Sequence, residues 1–288
     1  MRSLNWQMKQ LGLYHRDGSF ATQQDRGRTL SLAADQLHAM GFQYLMLVGI
    51  KPKHIAALVE RWKGEELSTG TLKNRLAHLR WLAEKIGKQN IVARSNDFYG
   101  IADRVYVTNV SKARELTSEQ LNKITDPYCA MSLQLQAAFG LRREESLKIQ
   151  PGYADRGDVL YLKASWCKGG RPREIPIRTE AQRQLVDTAK VLAKGGSLIP
   201  NQLSYKEHLR RFRTQCDRAG IHKVHGHRHR YAQQRYHELT GWECPACGGP
   251  TAKQLGAEQK RIDKEARLIV SAELGHGRGQ ITSVYLGR

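Results

Sequence analysis

The sequence predicts a mainly α-helical fold with one small β-sheet, an α+β architecture in two domains. Three observations support this class. Apolar residues recur at helical steps in the first hundred residues, two short strand patterns flank one turn, and helical patterns then return. The 288 residues suffice for two domains of ordinary size. We place the boundary near residue 112, which gives domains at 1–112 and 113–288.

The first domain is predicted to be helical throughout. One helix begins at Thr29, and a second covers residues 53–62. A third begins after Ser68 and carries leucines at three- and four-residue steps, with basic residues on its other faces. Residues 91–114 lose this period and include a strand-like run at 104–110, which is typical of a connection between domains.

The second domain combines helices with one hairpin. Thr117 has the character of a helix N-cap, and helical spacing then extends over 129–149 with an interruption at Gly140. Two strand patterns, 158–163 and 173–177, flank a turn rich in glycine, proline and basic residues, which predicts a β-hairpin with a basic tip. Helical patterns follow at 180–192, 205–219, 228–239 and 260–274.

Net charge narrows the choice of partner. Lys and Arg number 47 against 27 Asp and Glu, which leaves +20, so a polyanion such as nucleic acid is the expected partner. The longest apolar window, residues 44–50, is too short to span a bilayer, and residues 1–10 lack the apolar stretch of a secretory signal. We therefore expect a cytoplasmic protein without a membrane partner, whose five cysteines are reduced thiols.

Five motifs in the second domain follow one another in a fixed order. They are Gly-Leu-Arg-Arg-Glu-Glu at 140–145, Lys-Gly-Gly-Arg-Pro-Arg-Glu-Ile-Pro-Ile at 168–177, His-Gly-His-Arg-His at 225–229, Leu-Gly-His at 274–276 and a tyrosine at 285. The tyrosine lies nine residues after the Leu-Gly-His histidine (285 − 276). This ordered set resembles the tyrosine recombinase, or phage-type integrase, family. The resemblance implies a tyrosine-recombinase catalytic domain at 113–288 after a helical core-binding domain at 1–112.

The resemblance implies a metal-free transfer of a phosphodiester in which Arg142 and Arg228 hold the phosphate. Guanidinium groups suit this role because their forks of donors match phosphate geometry and remain charged at neutral pH. By the same resemblance, Tyr285 is the nucleophile that forms a 3′-phosphotyrosine. Lys168 is then the general acid that protonates the departing 5′ oxygen.

Three further residues complete the implied site, and no cofactor is implied. His225 is expected to assist proton transfer, and His276 to donate to a nonbridging oxygen. Imidazole suits both roles because it titrates near neutrality. Glu145, the acidic residue three positions after the first arginine of the motif, is implied as a supporting residue.

Several of these assignments have rivals nearby. Arg143 competes with the first arginine but stands outside the Gly-Leu-Arg register. Tyr231 and Tyr236 follow the His-x-x-Arg motif at helical spacing, which favours packing over a nucleophilic role. Lys163 and Arg171 compete for the general acid, although the pattern Lys-Gly-x-x-x-Arg-x-x-Pro favours the lysine at 168.

The sequence departs from the family in two places. His-x-x-Arg and Leu-Gly-His stand 48 residues apart (276 − 228), a wider spacing than the resemblance implies, so we expect an insertion at 242–258 outside the phosphate site. Within it, Cys244 and Cys247 form half of a zinc site with His237 as a third candidate ligand. Structural zinc takes four ligands, so a metal-free loop is the alternative. Three residues follow the tyrosine, so we expect protomers to contact one another differently from relatives that use a C-terminal helix.

Taken with the charge, the resemblance predicts a site-specific DNA recombinase that integrates or excises a mobile element. It implies a homotetramer on synapsed double-stranded DNA, a monomer or dimer when free, and an accessory DNA-bending or directionality factor. The expected setting is bacterial or phage, on the nucleoid when DNA is bound. Two alternatives stay open: a type IB topoisomerase-like enzyme that rejoins the same strand, and a non-catalytic DNA-binding regulator with zinc at Cys244 and Cys247.

Overall fold

The computed structural model describes residues 2–276 and 279–288. Two compact units divide the chain, the first ending at Val105 and the second beginning at Tyr106. Residues 104–110 form neither helix nor strand, so the predicted strand-like run is wrong. The reason is burial: Val105, Tyr106 and Val110 remain exposed, and β-type side chains stabilise a strand mainly by packing in a sheet.

The first unit is helical, as predicted. Its helices are α1 (Ser3–Tyr14), α2 (Phe20–Ala39), α3 (Pro52–Gly64) and α4 (Thr69–Lys85). Helix α2 begins nine residues before the predicted start at Thr29, because the Ser19 side chain accepts a hydrogen bond from the Thr22 backbone and caps it there. Helix α1 was not predicted. It buries only Leu4 and Met8, too few residues to give a readable period.

The described part of the second unit contains nine α-helices and one β-hairpin, besides short 3₁₀ turns. The helices are α5 (Ser118–Asn122), α6 (Pro127–Phe139), α7 (Arg143–Lys148), α8 (Pro151–Ala154), α9 (Glu180–Ala193), α10 (Tyr205–Arg218), α11 (His225–Thr240), α12 (Ala257–Glu273) and α13 (Ser283–Leu286). Strands β1 (Val159–Leu162) and β2 (Arg173–Pro176) pair antiparallel, with Leu160 opposite Ile175. The mainly α class and the predicted hairpin are therefore confirmed.

Helix α11 occupies the centre of the second unit. Tyr231, Ala232 and Tyr236 on this helix are buried in one apolar cluster with Phe139 of α6 and Val270 of α12. Burying a large apolar side chain contributes about 1.5–3 kcal/mol, so this cluster holds α11 firmly against its neighbours. The predicted site residues at 225 and 228 lie in the first turn of α11.

The segment between α11 and α12 is folded into the unit. A 3₁₀ turn at Pro245–Cys247 interrupts it, and Cys244, Ala246 and Leu255 are buried. Cys244 and Ala246 belong to the same apolar cluster as Tyr285 and α11. The predicted insertion at 242–258 therefore packs beside α13, the helix that carries Tyr285. Throughout the described residues, no helix combines the length and apolar character needed to cross a bilayer.

Candidate active site

The Tyr285 hydroxyl lies against two of the predicted site residues. His225 Nε2 is 3.1 Å from this oxygen, and Arg228 Nε donates to it over 3.3 Å. The tyrosine itself is 6% exposed, whereas His225 is open to solvent at the start of α11. The short helix α13 therefore brings a phenol oxygen to a base and a cation at the edge of the site.

Three histidine rings surround the Tyr285 ring. His276 stacks on it with centroids 5.2 Å apart, His229 approaches to 4.5 Å and His225 to 5.7 Å. His229 is 5% exposed and was not predicted as a site residue. Its place in the alternating His-Gly-His-Arg-His run was the available signal. The three rings restrict the tilt of the phenol and so direct its hydroxyl.

Arg228 connects three of the sequence motifs. Its side chain is buried, and its Nη1 and Nη2 donate to the backbone carbonyls of Gly140 and Leu274. Nη2 also lies 3.4 Å from His276 Nε2. Gly140 is required at its position because its φ is +61° and an added Cβ would stand 2.6 Å from the Tyr231 ring. Arg228 therefore links the C-terminal ends of α6 and α12, where Gly140 and Leu274 lie.

Glu145 is a buried carboxylate that organises the arginines. It accepts from the Arg142 backbone N–H and from Arg142 Nη1, both over 2.7 Å. Arg173 Nη1 and Nη2 donate to it over 2.9 and 2.7 Å. Burial alone would raise the pKa of Glu145, but hydrogen bonding and charge from Arg173, with charge from Arg142 and Arg228, lower it to about 2. The carboxylate is therefore ionised at neutral pH.

Arg173 was quoted in the sequence pattern but given no role. It is 8% exposed, and its Nε donates to the Glu273 carbonyl over 2.7 Å. Through these contacts it joins β2 to α7 and to the end of α12. The arginine of Lys-Gly-x-x-x-Arg was the signal, but only tertiary contacts reveal that its partner is Glu145.

The histidines of the site are held neutral. Burial, followed by the charges of Arg228 and Arg142, lowers the pKa of His276 to about 3. Burial and His225 lower the pKa of His229 to about 4, and partial desolvation with Arg228 lowers that of His225 below its usual 6.5. At neutral pH each imidazole therefore has one N–H donor and one nitrogen that can accept. His225 in particular can take a proton.

Lys168 and its rivals lie in different surroundings. Lys168 and Arg171 are exposed on the turn between the strands, and neither makes a hydrogen bond or ion pair with any described residue. Lys163 instead donates to Gln150 over 3.3 Å and lies 4.7 Å from the centroid of the Trp166 ring. Its ammonium is already engaged, while that of Lys168 is available to a ligand.

The rival tyrosines are bound to carboxylates. Tyr231 donates to Glu273 and Tyr236 donates to Asp263, each over 2.6 Å. Burial and these anions raise both phenol pKa values well above the usual 10. A raised pKa disfavours the phenolate form that attacks phosphorus, and both side chains belong to the apolar core, so we assign both tyrosines to packing.

Arg143 makes no hydrogen bond with the Glu145 carboxylate in the described residues. Glu145 accepts from Arg142 and Arg173, while the buried Arg143 Nε has no partner among the described residues. The Gly-Leu-Arg register therefore identifies the arginine that shares a carboxylate with Arg173.

The zinc candidates lack a metal-binding cluster around them. Cys244 is buried and Cys247 exposed. His237, the third candidate ligand, has its Nδ1 3.3 Å from Glu243 Oε1. Across residues 2–276 and 279–288, no group of three His, Cys, Asp or Glu side chains is placed to hold a metal ion.

Two family models match this sequence. One, described as phage integrase, N-terminal, matches residues 1–92, and the other, described as integrase, matches residues 102–234. No protein of curated function matches significantly.

Solved structures of three recombinases share the fold. A XerH site-specific recombinase bound to palindromic difH substrate superposes with a TM-score of 0.62 at 16% identity, over 99% of this chain and 81% of that one. A lambda integrase (75–356) dimer bound to a COC′ core site superposes with a TM-score of 0.60 at 17% identity, over 96% of this chain and 93% of that one. A Tn1549 transposon integrase in complex with circular intermediate DNA superposes with a TM-score of 0.58 at 15% identity, over 100% of this chain and 96% of that one.

A helical first unit, a mainly helical second unit and the ordered arginine, histidine and tyrosine motifs define a phage-type integrase. The two family models together span most of the sequence. The chain belongs to the tyrosine recombinase family, and its enzyme class is tyrosine site-specific recombinase. The match to the phage integrase N-terminal model lies within the first unit, and most of the match to the integrase model lies within the second.

Proposed function

We propose that Tyr285 cleaves one strand of a double-stranded DNA recombination site and remains linked to it as a 3′-phosphotyrosine. The observation that carries this assignment is the position of the Tyr285 hydroxyl, 3.1 Å from His225 Nε2 and 3.3 Å from Arg228 Nε. A neutral imidazole accepts the phenol proton, and the guanidinium stabilises the oxygen as it becomes anionic. The hydroxyl of the rival Tyr231 also contacts a carboxylate, Glu273 at 2.6 Å, and a guanidinium, Arg178 at 3.0 Å. Tyr231 is nevertheless a poor nucleophile, because it is 3% exposed and its pKa is raised well above 10.

The transfer balances without a cofactor. The tyrosine oxygen forms a bond to phosphorus, the bond from phosphorus to the 5′ oxygen breaks, and Lys168 gives that oxygen a proton. Arg142 and Arg228 hold the nonbridging oxygens, with His276 as a further donor. A 5′ hydroxyl of the partner strand then reverses the step, so one phosphodiester replaces another and no external energy source is required.

The arrangement of Arg142 supports its role at the phosphate. One Nη and the backbone N–H are bound to Glu145, and the side chain is 22% exposed. Its remaining donors are therefore oriented by a fixed anion while the group stays accessible. Arg228 is more deeply buried, and its fork already binds two carbonyls, so it offers its remaining N–H groups from a rigid position.

Double-stranded DNA is the proposed partner of both domains. The net charge of +20 favours a polyanion, and binding is expected to weaken steeply with salt because counterions are released. Among the matched structures are a lambda integrase dimer on a core site and a lambda integrase tetramer bound to a Holliday junction. For this chain we propose a homotetramer on synapsed sites, and an accessory factor that sets integration against excision.

A covalent adduct tests the proposed chemistry without knowledge of the target sequence. The protein is incubated with a library of duplexes that carry a randomised half-site and a nick, so that the cleaved end is lost and the adduct accumulates. Covalent complexes that survive detergent are recovered and sequenced. We expect wild type to enrich one sequence class and Tyr285→Phe to bind the same duplex without forming an adduct.

Other outcomes would redirect the assignment. An adduct formed by Tyr285→Phe, or none formed by wild type, would overturn the nucleophile. Relaxation of supercoiled plasmid that lacks the enriched site would favour the topoisomerase-like alternative. Sequence-selective binding that never yields an adduct would favour a DNA-binding regulator.

A further inference from the structure

The backbone beyond the nucleophile is held by the side chain of Asn109. Its Oδ1 accepts from the Arg288 backbone N–H over 2.8 Å, and its Nδ2 donates to the Arg288 carbonyl over 3.0 Å. Asn109 has a φ of +49°, a left-handed conformation that asparagine tolerates better than most residues. A local backbone shape thus aims this amide at residue 288.

Gln233 holds the carbonyl of the nucleophile itself. Its Nε2 donates to the Tyr285 carbonyl over 2.9 Å, and Gln233 is 5% exposed. The Ser111 hydroxyl donates to the other end of this amide, Gln233 Oε1, over 2.9 Å. Because Ser111 occupies the acceptor, the amide nitrogen is turned toward Tyr285.

Gly287 lies between the cysteine-containing segment and Asn109. A Cβ on this glycine would be 2.7 Å from both the Ala246 backbone nitrogen and Asn109 Oδ1, and its φ is +80°. The Gly287 carbonyl accepts from Arg267 Nη1 over 2.9 Å. Residues 285–288 are therefore fixed on several sides by main-chain contacts.

The segment that holds this backbone is itself fixed to α11. The Arg114 backbone N–H donates to the Gly226 carbonyl over 3.1 Å, and His227 Nδ1 lies 3.0 Å from the Arg114 carbonyl. Residues 109–114 therefore connect the start of α11, which carries His225, to the backbone around Tyr285.

We infer that Asn109, Ser111 and Gln233 are positioning residues for the nucleophile, an inference that rests on the proposed role of Tyr285. Helix α13 has four residues, and so short a helix is not stable by itself. These three side chains supply the missing restraint and keep the hydroxyl at His225 and Arg228. A displacement of about 1 Å in a reacting group can cost about 100-fold in rate. Any movement of residues 109–111 therefore acts on the nucleophile.

Asn109→Gly tests the inference because glycine keeps the positive φ while the side chain is lost. Thr108→Ala is the matched control, since Thr108 is exposed in the same segment and makes no hydrogen bond with a described residue. The probe is the nicked duplex enriched from the library. We expect the single-turnover rate of adduct formation to fall at least about tenfold in Asn109→Gly, with DNA affinity and Tm close to those of Thr108→Ala.

Hydrogen exchange gives a readout that requires no DNA. Amides of residues 283–288 are expected to exchange faster in Asn109→Gly and in Ser111→Ala than in wild type or Thr108→Ala, while α6 is unchanged. Asn109→Asp keeps the acceptor for the Arg288 N–H and is expected to recover part of the rate.

Three results would overturn the inference: a wild-type adduct rate in both Asn109→Gly and Ser111→Ala, a rate loss without faster exchange at 283–288, or an equal loss in Thr108→Ala. An adduct formed by Tyr285→Phe would overturn the proposed nucleophile instead, whatever the exchange experiment gives. The two failures are therefore distinguishable.

Discussion

Arg173 and Glu145 form a two-point ion pair in the interior of the catalytic domain, with both guanidinium Nη atoms on the two carboxylate oxygens at 2.9 and 2.7 Å. The pair joins the hairpin strand β2 to the start of α7, where Arg142 lies. The ion pair thus links the hairpin that bears Lys168 to the carboxylate that also binds Arg142.

Glu145→Gln is expected to destabilise the domain by about 3–5 kcal/mol, because it leaves Arg173 as a buried cation without its anion. Glu144→Gln is the matched control on the same helix, since Glu144 is exposed and pairs with Lys148 on the surface. Urea denaturation at neutral pH measures both. A Glu145→Gln midpoint equal to that of Glu144→Gln would show that the pair contributes little.

The same carboxylate predicts a loss of stability in acid. Its pKa is lowered to about 2 in the folded protein, against an ordinary value of 4.5, so its contribution is present above pH 4.5 and is lost as pH falls toward 2. We expect the stability of wild type to decline over this window more steeply than that of Glu145→Gln. Parallel declines would assign the acid sensitivity to other groups.

Arg142→Lys and Arg228→Lys are each expected to lower the adduct rate by about 100-fold or more, because an ammonium does not reproduce the fork of a guanidinium. Arg228→Lys should also lower stability, since two buried carbonyls lose donors. Arg230→Lys, on the exposed side of α11, is the control. Near-parental adduct rates for either variant would contradict a phosphate-binding role.

Adduct formation is expected to depend on a neutral His225. Desolvation and nearby arginines lower its pKa, so the rate should rise with pH through a midpoint below 6.5 and then level off. Single-turnover rates on the enriched nicked duplex measure this profile, and His225→Ala should lose the step. A rate that falls as His225 deprotonates would show that the imidazolium form is the active one.

Lys168→Ala is expected to be rescued by a substrate with a 5′-bridging phosphorothiolate, because a thiolate leaves without a proton from the enzyme. Arg142→Ala should not be rescued, since its loss concerns the nonbridging oxygens. Lys163→Ala serves as the control for the rival lysine, whose ammonium contacts Gln150 and Trp166. If the phosphorothiolate substrate rescued Lys168→Ala and Arg142→Ala equally, the assignment of Lys168 as the general acid would be wrong.

Chelation is expected to spare adduct formation, because side chains supply the nucleophile, the base, the acid and the phosphate-binding cations. The double variant Cys244→Ser with Cys247→Ser is expected to lose stability through the buried Cys244, while Cys247→Ser alone changes little. Elemental analysis measures zinc directly. A folded, chelated protein that binds DNA without forming an adduct would place the cysteine segment in the active site.

The ordered motifs identified most of the residues that meet around Tyr285. Phosphoryl transfer requires cations, a proton acceptor and a nucleophile, and these requirements are visible as residue types at set spacings. The structure brings His225, Arg228 and His276 together around Tyr285, and their catalytic roles stay predictions. The core helices could also be predicted from the sequence, because burial of one helix face requires apolar residues to recur about every 3.6 positions.

Other features could not be predicted from local sequence patterns. Helix α1 was missed because it buries two residues, and the run at 104–110 was misread because its apolar side chains stay exposed. Asn109 resembles any loop asparagine until folding brings Arg288 beside it. Partners 179 residues apart, as Asn109 and Arg288 are, follow no local pattern.

The sequence alone determined the class of this protein: a mainly α, two-domain chain with the arginines, histidines and tyrosine of a tyrosine recombinase. These properties reside in composition, period and motif, which are local. Tertiary structure decided that Glu145 binds Arg173, that Tyr231 is bound by Glu273 while Tyr285 faces His225, and that the segment at 109–111 holds the nucleophile. Hydrogen bonds and ion pairs act over about 3 Å, so they form only after folding brings distant segments together.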